Sequence, residues 1–262
     1  MVLQIIRYIK FWTPTWGAWL PIQLGGLYAI CNLIAGLGVD YWWAYTLIGY
    51  ILLSVFGISV GYHRYLSHNS FKTNRWICKL MLWCGIMSGQ GSPIFWPLIH
   101  RRYHHKVADT PNDVHSPLHG FWHSYVFWLF RMPPIMDSKY TIDLIQNKDV
   151  SMAHKFYFPI LWISNAVIFY LSYDVWLWGI ILPGFLAFHS YALNTSINHY
   201  PSLGYRYYPT NDNSTNVLWL WPCLFGDAWH NNHHADPKNP NFSKRWWEID
   251  PAYWLIKLIR TD

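Results

Sequence analysis

Two long stretches of the chain are mostly apolar and contain no lysine or arginine. They cover residues 17–60 and 156–193, and each is long enough for two membrane-spanning helices of about 20 residues. The short segment GVDY (38–41) interrupts the first stretch, and SYDV (172–175) interrupts the second. The pattern predicts four transmembrane helices in two tight hairpins, at about 17–37, 42–61, 156–172 and 176–194.

Every lysine and arginine lies outside these four predicted helices. The positive-inside rule places the basic segments in the cytoplasm and the hairpin tips, at Asp40 and Asp174, on the outer side. We therefore expect an all-α, multi-pass integral membrane protein of one domain, residues 1–262, with both termini cytoplasmic. Residues 62–155 and 195–262 would form a cytosolic helical cap. A soluble protein with buried helices is the alternative, but four uncharged runs are difficult to bury in so short a chain.

Two further apolar regions are shorter or interrupted. Residues 76–99 contain Lys79, three glycines and two prolines. They predict a helix followed by a loop, lying against the cytoplasmic face of the membrane. The segment YWLIKLIR (253–260) predicts an amphipathic helix, which lies either at the membrane interface or against the cap.

The composition agrees with a membrane location. Hydrophobic residues make up 53% of the chain and charged residues 12%, whereas soluble domains are about 25% charged. Aromatic residues reach 20%, which suits membrane–water interfaces. The net charge is +6 but the basic residues form no tract, which favours attraction to anionic lipid head groups over binding to nucleic acid. The four cysteines show no CxxC spacing and are expected to be free thiols.

Nine of the 14 histidines fall into four groups, in the expected cap or at the ends of expected helices. On an α-helix, residues three or four apart share a face, so His100 and His104 are expected to point together. Adjacent histidines diverge by about 100°, which suits two metal ions with neighbours serving different ions. His63 and His68 are five apart, so one of them is expected beyond a helix end. The nine are His63, His68, His100, His104, His105, His199, His230, His233 and His234.

The ligand types restrict the kind of metal site. Imidazole binds zinc, copper and iron. The chain has a single glutamate, Glu248, and no Glu-x-x-His pair, which excludes the carboxylate di-iron site of helix bundles. The absence of HExxH excludes that class of zinc hydrolases. A membrane metal transporter would place polar ligands midway through a span, whereas only His189 lies within one here. Two metals in an all-imidazole site close to lipid indicate oxygen chemistry on a lipid chain.

The chain resembles the membrane-bound fatty acyl desaturases, most closely bacterial-type members of the delta-9, stearoyl-CoA desaturase-like group. Three histidine boxes carry the resemblance: HRYLSH (63–68), HRRYHH (100–105) and HNNHH (230–234), matched to the family patterns HxxxxH, HxxHH and HxxHH. The resemblance extends over nearly the whole chain, through DTPNDVHSPLHGFW (109–122), NTSINHYPSLGYRYY (194–208), GDAWHNNHHADP (226–237) and RWWEIDPAYWLI (245–256).

This resemblance implies four transmembrane helices and a cytosolic cap that holds two iron ions through the nine histidines. In the family, a side chain near the isolated His199 holds an iron-bound water, and Thr195 and Asn198 are the candidates here. The remaining histidines are expected to be structural or to support the ligands; they are His115, His119, His123, His154 and His189.

Two further sets of side chains are candidates for the site. Carboxylates commonly accept the second N–H of a metal-bound histidine, and the candidates for this role are Asp109, Asp113 and Asp227. The acyl chain needs a narrow apolar tunnel, and the candidates for its wall are Trp96, Trp122 and Trp128.

The implied reaction is the oxygen-dependent removal of two hydrogens from adjacent CH₂ groups, giving a cis double bond in unsaturated fatty acid biosynthesis. The double bond is expected at the delta-9 position of a saturated chain carried as a thioester, on CoA or a carrier protein, or as a lipid ester. A histidine-box hydroxylase or ketolase is the nearest alternative, and analysis of the product would separate the two.

Reduction of O₂ needs four electrons, and two of them must come from outside the substrate. The nearest approach to a dinucleotide fingerprint is GQG (89–91), with Ile94 where the third glycine would stand. We therefore expect an external carrier, a ferredoxin or a small cytochrome with its reductase. It would dock on basic residues near the second and third boxes: Arg101, Arg102, Lys106, Lys244 and Arg245.

Overall fold

The computed structural model describes residues 15–131 and 138–262. Within these ranges the chain is helical, with three isolated β-bridges and no strand. The helices are α1 (Trp16–Ile34), α2 (Trp42–Ser67), α3 (Arg75–Met87), α4 (95–105), α5 (Phe121–Tyr125), α6 (Ile142–Gln146), α7 (Lys148–Lys155), α8 (Tyr157–Leu171), α9 (Tyr173–Ile197), α10 (Trp221–Leu224), α11 (His230–Ala235) and α12 (Pro251–Ile259). Short 3₁₀ turns lie at Pro117–His119, Phe127–Phe130, Ser138–Tyr140, Pro201–Leu203, Leu218–Leu220 and Phe225–Ala228.

Three helices are long and apolar enough to cross a membrane. They are α1, α2 and α9, with 19, 26 and 25 residues. They coincide with the first, second and fourth predicted spans, although α2 continues past the predicted end at 61 to Ser67. This extension brings His63 inside a continuous helix. A single helix, α2, therefore runs from the GVDY segment to the first histidine box.

The third predicted span, 156–172, is represented by α8, which has 15 residues. At 1.5 Å per residue α8 is about 22 Å long, shorter than the roughly 30 Å hydrocarbon core of a bilayer. Phe156 and Ser172 leave helical geometry and break the helix at its two ends. Ser172 alone separates α8 from α9, and its side chain accepts the Val175 N–H. The described residues thus contain three helices of spanning length rather than four, and α9 begins one residue after the end of α8.

Glycines allow the long helices to approach closely. A Cβ on Gly49 of α2 would lie 2.0 Å from the Gly179 carbonyl oxygen of α9. A Cβ on Gly57 of α2 would lie 2.6 Å from the Gly85 nitrogen of α3. Small residues at such crossings let backbones pack directly, as in membrane helix pairs. α2 is consequently held between α3 and α9, with its second half buried.

The two interrupted apolar regions form the predicted local structure. Residues 76–99 form α3, a loop and the start of α4, and Asn74 caps α3 by accepting backbone N–H groups from Trp76 and Ile77. The C-terminal segment forms the amphipathic helix α12. Its Ile256 is buried, whereas Leu258 is 81% exposed.

Candidate metal centre

The nine predicted histidines come together in two adjacent groups. Within each group the contributing ring nitrogens lie within 4.8 Å of one another. The five-histidine group consists of His63, His68, His100, His105 and His233. The four-histidine group consists of His104, His199, His230 and His234.

The backbone of the second box differs from the pattern to which the sequence matches it. HRRYHH has three residues between its first histidine and the following pair, whereas HNNHH has two. The extra residue is accommodated in a π-helical turn, Ile99–His105, whose hydrogen bonds join residues five apart. His100 therefore shares a group with His105, and the expected pairing of His100 with His104 is wrong.

The first and third boxes follow the expected geometry more closely. His68 lies one residue beyond the end of α2, and its N–H donates to the His63 carbonyl at 3.2 Å. The third box is the α-helix α11, and its members four apart, His230 and His234, share a group. In both doublets, 104–105 and 233–234, the neighbours enter different groups, as their divergence predicts.

Burial keeps these imidazoles neutral. Loss of water lowers the pKa of His68, His100 and His233 well below the ordinary value of a histidine. Burial also lowers the pKa of His234 to about 4, although its bond to Asp212 acts in the opposite direction. Neutral imidazole is the form that binds a metal ion.

Three histidines of the four-histidine group contact an aspartate carboxylate through Nδ1, while their Nε2 atoms face the other histidines of the group. Nδ1 of His199 lies 2.8 Å from Asp109, and Nδ1 of His234 lies 2.8 Å from Asp212. Nδ1 of His104 lies 3.4 Å from Asp113. Burial alone would raise the pKa of Asp212, but the hydrogen bond from His234 holds it well below its usual range. These aspartates are therefore ionised acceptors.

This arrangement fits a cation. An ionised aspartate accepts the proton on Nδ1, so Nε2 of both His104 and His234 carries a bare lone pair. These two Nε2 atoms face each other at 3.1 Å. Two lone pairs at that distance repel, and a positive ion between the rings removes the repulsion. Imidazoles oriented by carboxylates are a usual donor set for zinc, copper or iron.

The five-histidine group has closer ring contacts and less carboxylate support. Nε2 of His233 lies 2.9 Å from Nε2 of His63 and 2.9 Å from Nε2 of His105. In a neutral imidazole this nitrogen carries either one proton or one lone pair, so it cannot form a full hydrogen bond with both neighbours. Nδ1 of His63 lies 3.5 Å from Asp227. The Asp227 carboxylate is buried and also accepts from Arg64 at 3.1 Å and from the Tyr191 hydroxyl at 2.7 Å.

An apolar cavity opens beside both groups. His63 and His100 line it from the five-histidine group, and His104 and His230 from the four-histidine group. Its remaining wall is mostly apolar and includes Phe95, Trp96, Ile99, Trp128, Leu129 and Phe188.

The three candidate tryptophans occupy different places. Trp96 and Trp128 line the cavity, and Trp96 stacks on the His100 ring at 5.1 Å between centroids. Trp122 is 63% exposed and lies outside the wall, with its ring edge against Phe121 and Tyr125. Sequence position alone does not separate these three tryptophans, since each follows or precedes a histidine box.

The polar candidates near His199 lie on the last turns of α9. Thr195 lines the cavity, and its hydroxyl donates to the carbonyls of Tyr191 and Ala192 at 3.3 and 3.2 Å. Asn198 is buried and donates to Asn194, whose side chain lines the cavity. Asn194 is therefore better placed than Asn198 to contact a molecule in the cavity.

Sequence reasoning missed two contacts to these histidines. Asp212 is not among the candidates predicted from the sequence, because it lies in the loop NDNSTN, far from every box. The feature that could have identified it is a single acidic residue in a polar loop between two ligand segments. His115 was assigned only a general supporting role. Its Nδ1 lies 3.2 Å from Asp113, and its ring lies 4.8 Å from that of His104. Burial lowers the pKa of His115 to about 3.

Comparison with known proteins agrees with this geometry. The family model described as fatty acid desaturase matches residues 40–259. The sn-2 palmitoyl-lipid 9-desaturase of Nostoc sp. (strain 36) is 34% identical, over 93% of this chain and 87% of that protein. The sn-1 stearoyl-lipid 9-desaturase of Anabaena variabilis is 31% identical, over 92% and 88%. An acyl-CoA 5-desaturase of Anemone leveillei is 32% identical, over 97% and 79%.

The histidine groups and the three long apolar helices fit a metal-binding membrane enzyme of this kind. The chain belongs to the fatty acid desaturase family, the metal-dependent oxidoreductases that desaturate fatty acyl chains.

Proposed function

We propose that this protein is a di-iron desaturase that introduces a cis double bond, at the delta-9 position, into a saturated acyl chain at a membrane. The observation that carries the proposal is the apolar cavity bordered by both histidine groups. Such a cavity brings an acyl chain within reach of two metal ions. Two of the relatives are named as 9-desaturases of lipid-linked chains.

Each histidine group would hold one iron ion. When bound, iron supplies the oxygen activation that an unactivated C–H bond requires, since no side chain can abstract such a hydrogen. The carboxylates of Asp109, Asp113 and Asp212 fix the rings of the four-histidine group. Asp227 fixes His63 of the other group. Thr195 and Asn194 line the cavity and are the polar side chains there that would hold an iron-bound water.

The cavity wall would bind and orient the acyl chain. Trp96 lines the cavity and stacks on the His100 ring, so the acyl chain would pack against Trp96 beside the five-histidine group. Trp128 and Leu129 also line the cavity and would help to exclude water from it. The position of the double bond then depends on how far the head group, a thioester or a lipid ester, stands from the histidines.

The proposed topology has four membrane crossings, with the active site and both termini in the cytoplasm. α8 would be the remaining crossing, paired with α9 through Ser172. Its outward side chains support a lipid environment, since Ile163 is 64% exposed and Leu171 75% exposed. A helix this short is accommodated by local thinning of the bilayer. Labelling of single cysteines at residues 40 and 174 from the outer side tests the arrangement.

Electrons would arrive from an external ferredoxin or small cytochrome with its reductase. Four basic residues, Arg102, Lys106, Arg131 and Lys139, line one surface pocket beside the second box. Such a surface attracts an acidic carrier, and the attraction weakens with salt. Arg101, expected on the same surface, instead makes its contacts inside the cap.

The deciding experiment supplies the purified protein with a saturated acyl-lipid or acyl-CoA, O₂, NADPH, carrier and reductase. We expect a cis monounsaturated product that forms only with carrier and reductase, and slows as salt rises. The protein with His104→Ala is the negative control. A hydroxylated, still saturated product would contradict the proposal and support a histidine-box hydroxylase.

A further inference from the structure

Arg101 lies inside the π-helical turn of the second box, between His100 and His105. Its side chain is only 18% exposed. Nε donates to the Ser67 carbonyl at 2.7 Å, and Nη2 donates to the Leu66 carbonyl. These carbonyls belong to the last two residues of α2, where a helix has no internal donors left. Arg101 therefore closes the end of the helix that carries the first box.

The other edge of the same guanidinium binds a third segment. Nη1 and Nη2 donate to the two oxygens of Asp143 at 2.8 and 2.9 Å, and Nη1 also donates to the Tyr140 carbonyl at 2.7 Å. Asp143 lies in α6. Burial alone would raise the pKa of Asp143, but the bonds from Arg101 lower it. A planar guanidinium can make both sets of bonds at once, and such two-point contacts fix direction as well as distance.

Arg101 joins the end of α2 to the second box, and each of these two segments contributes one histidine to a direct contact between rings. Ser67 directly precedes His68, and His100 directly precedes Arg101. Nε2 of His68 lies 2.8 Å from Nε2 of His100. His68 lies beyond the end of α2, so the helix itself does not fix its ring. Among the described residues, no carboxylate lies within 4 Å of either ring, in contrast to His199 or His234.

We propose that Arg101 is a positioning residue that sets His68 against His100 and thereby forms the metal-binding geometry of the five-histidine group. The proposal rests on metal binding by that group. Lysine cannot replace Arg101, because a single ammonium presents its donors from one point and cannot bind two carbonyls and a carboxylate together.

The test compares ferrous iron binding in the full-length protein and in Arg101→Met, Arg101→Lys and Asp143→Asn. Supporting contacts to metal ligands are worth about 10- to 100-fold in metal affinity. We expect a loss in that range at one group for Arg101→Met and Arg101→Lys, with the other group unchanged. At a free iron concentration that just fills both groups in wild type, these two variants should thus bind about half as much iron. Asp143→Asn keeps the carbonyl contacts and should lose less.

Two measurements separate positioning from a general effect on folding. The melting temperature of the metal-free variants should match that of Arg75→Met, a control that breaks another two-point arginine pair, with Asp149. EPR of the oxidised variant should show an isolated ferric ion, because its coupled neighbour is missing.

Each outcome decides a different claim. Wild-type protein that binds no iron would contradict the proposed function. Iron binding in wild type with unchanged affinity in Arg101→Met would overturn the role of Arg101 alone. Equal loss from both groups, together with a lower melting temperature than Arg75→Met, would also overturn it, because Arg101 would then support the fold rather than one group.

Discussion

The side chains around the two histidine groups support the imidazole rings by opposite means. In the four-histidine group three rings rest on carboxylates, at 2.8, 2.8 and 3.4 Å. In the five-histidine group, among the described residues, one ring has a carboxylate within 4 Å, His63 with Asp227 at 3.5 Å. That carboxylate is already shared with Arg64. The five-histidine group thus has more histidines. The four-histidine group has fewer histidines but more carboxylates bonded to them.

The difference has a chemical consequence. A carboxylate behind an imidazole fixes the ring and raises its basicity, which strengthens the metal bond. We therefore expect the four-histidine group to hold its ion more tightly than the five-histidine group. In the five-histidine group, backbone geometry takes the place of carboxylates in positioning the rings. Two pairs of its histidines lie five residues apart in the chain, and Arg101 joins the segments that carry the two pairs.

Removal of a ligand is the largest perturbation of either group. His104→Ala should empty the four-histidine group, and His233→Ala the five-histidine group. Each should lower iron affinity at its own group by at least about 100-fold, since even supporting contacts are worth 10- to 100-fold. Both should abolish desaturation. Iron analysis and product formation measure the effect, and full activity of either variant would refute the ligand assignment.

Deletion of one residue distinguishes the π-helical box from the α-helical box. Removing Arg102 leaves His100 four residues from His105, the spacing that places His230 and His234 in one group. We expect this variant to fold with an α-helical turn and to retain most of its iron. Removing Asn231 from the third box should instead empty the four-histidine group. It brings His230 and His234 three apart and removes the Asn231 side chain, whose Oδ1 accepts from the backbone N–H groups of Tyr207 and Tyr208 at 2.8 Å.

Equal iron contents in the two deletion variants would contradict this distinction. The measurement should be iron per chain rather than activity, because Arg102 also lines the basic surface pocket.

Loss of one carboxylate should remove the difference between the groups. In a chelator titration, wild-type protein is expected to release iron in two steps, the first from the five-histidine group. Asp212→Asn should weaken the four-histidine group about 10- to 100-fold and merge the steps. Asp236→Asn is the matched control, since Asp236 is exposed and follows the third box. A single step in wild type would show that the groups do not differ.

The smallest effect is expected at a histidine outside both groups. His154 hydrogen-bonds through Nδ1 to Ser92 at 2.7 Å and lies on α7. His154→Ala should leave iron content and desaturation unchanged, and should lower the free energy of unfolding by about 1 kcal/mol through loss of the bond to Ser92. Loss of iron in this variant would mean that the nine histidines are not the whole ligand set.

Sequence patterns predicted the parts of the site that depend on local spacing. The absence of basic residues located α2 and α9, and the boxes located nine histidines that lie together. Periodicity failed where the backbone is not α-helical. The π-helical turn of HRRYHH could not be derived from an α-helical spacing rule, so the partner of His100 was predicted wrongly.

Contacts between distant segments were also beyond the sequence. Asp212 reaches His234 from a loop 22 residues earlier in the chain. Arg101 reaches Ser67 across 34 residues and was expected on the surface. Apolar composition likewise cannot show where a helix breaks, and Phe156 and Ser172 make α8 shorter than the predicted span.

The direct contact between His63 and His233 has a consequence for biosynthesis. These rings are 170 positions apart, at 2.9 Å, and both groups need residues of α11. Neither group can be complete until the ribosome has synthesised the third box, which follows all three long apolar helices in the chain. An ion that binds there closes a loop of most of the chain, and closure of a longer loop costs more entropy. We therefore expect metal insertion to be a late step of maturation, following the folding of the long apolar helices.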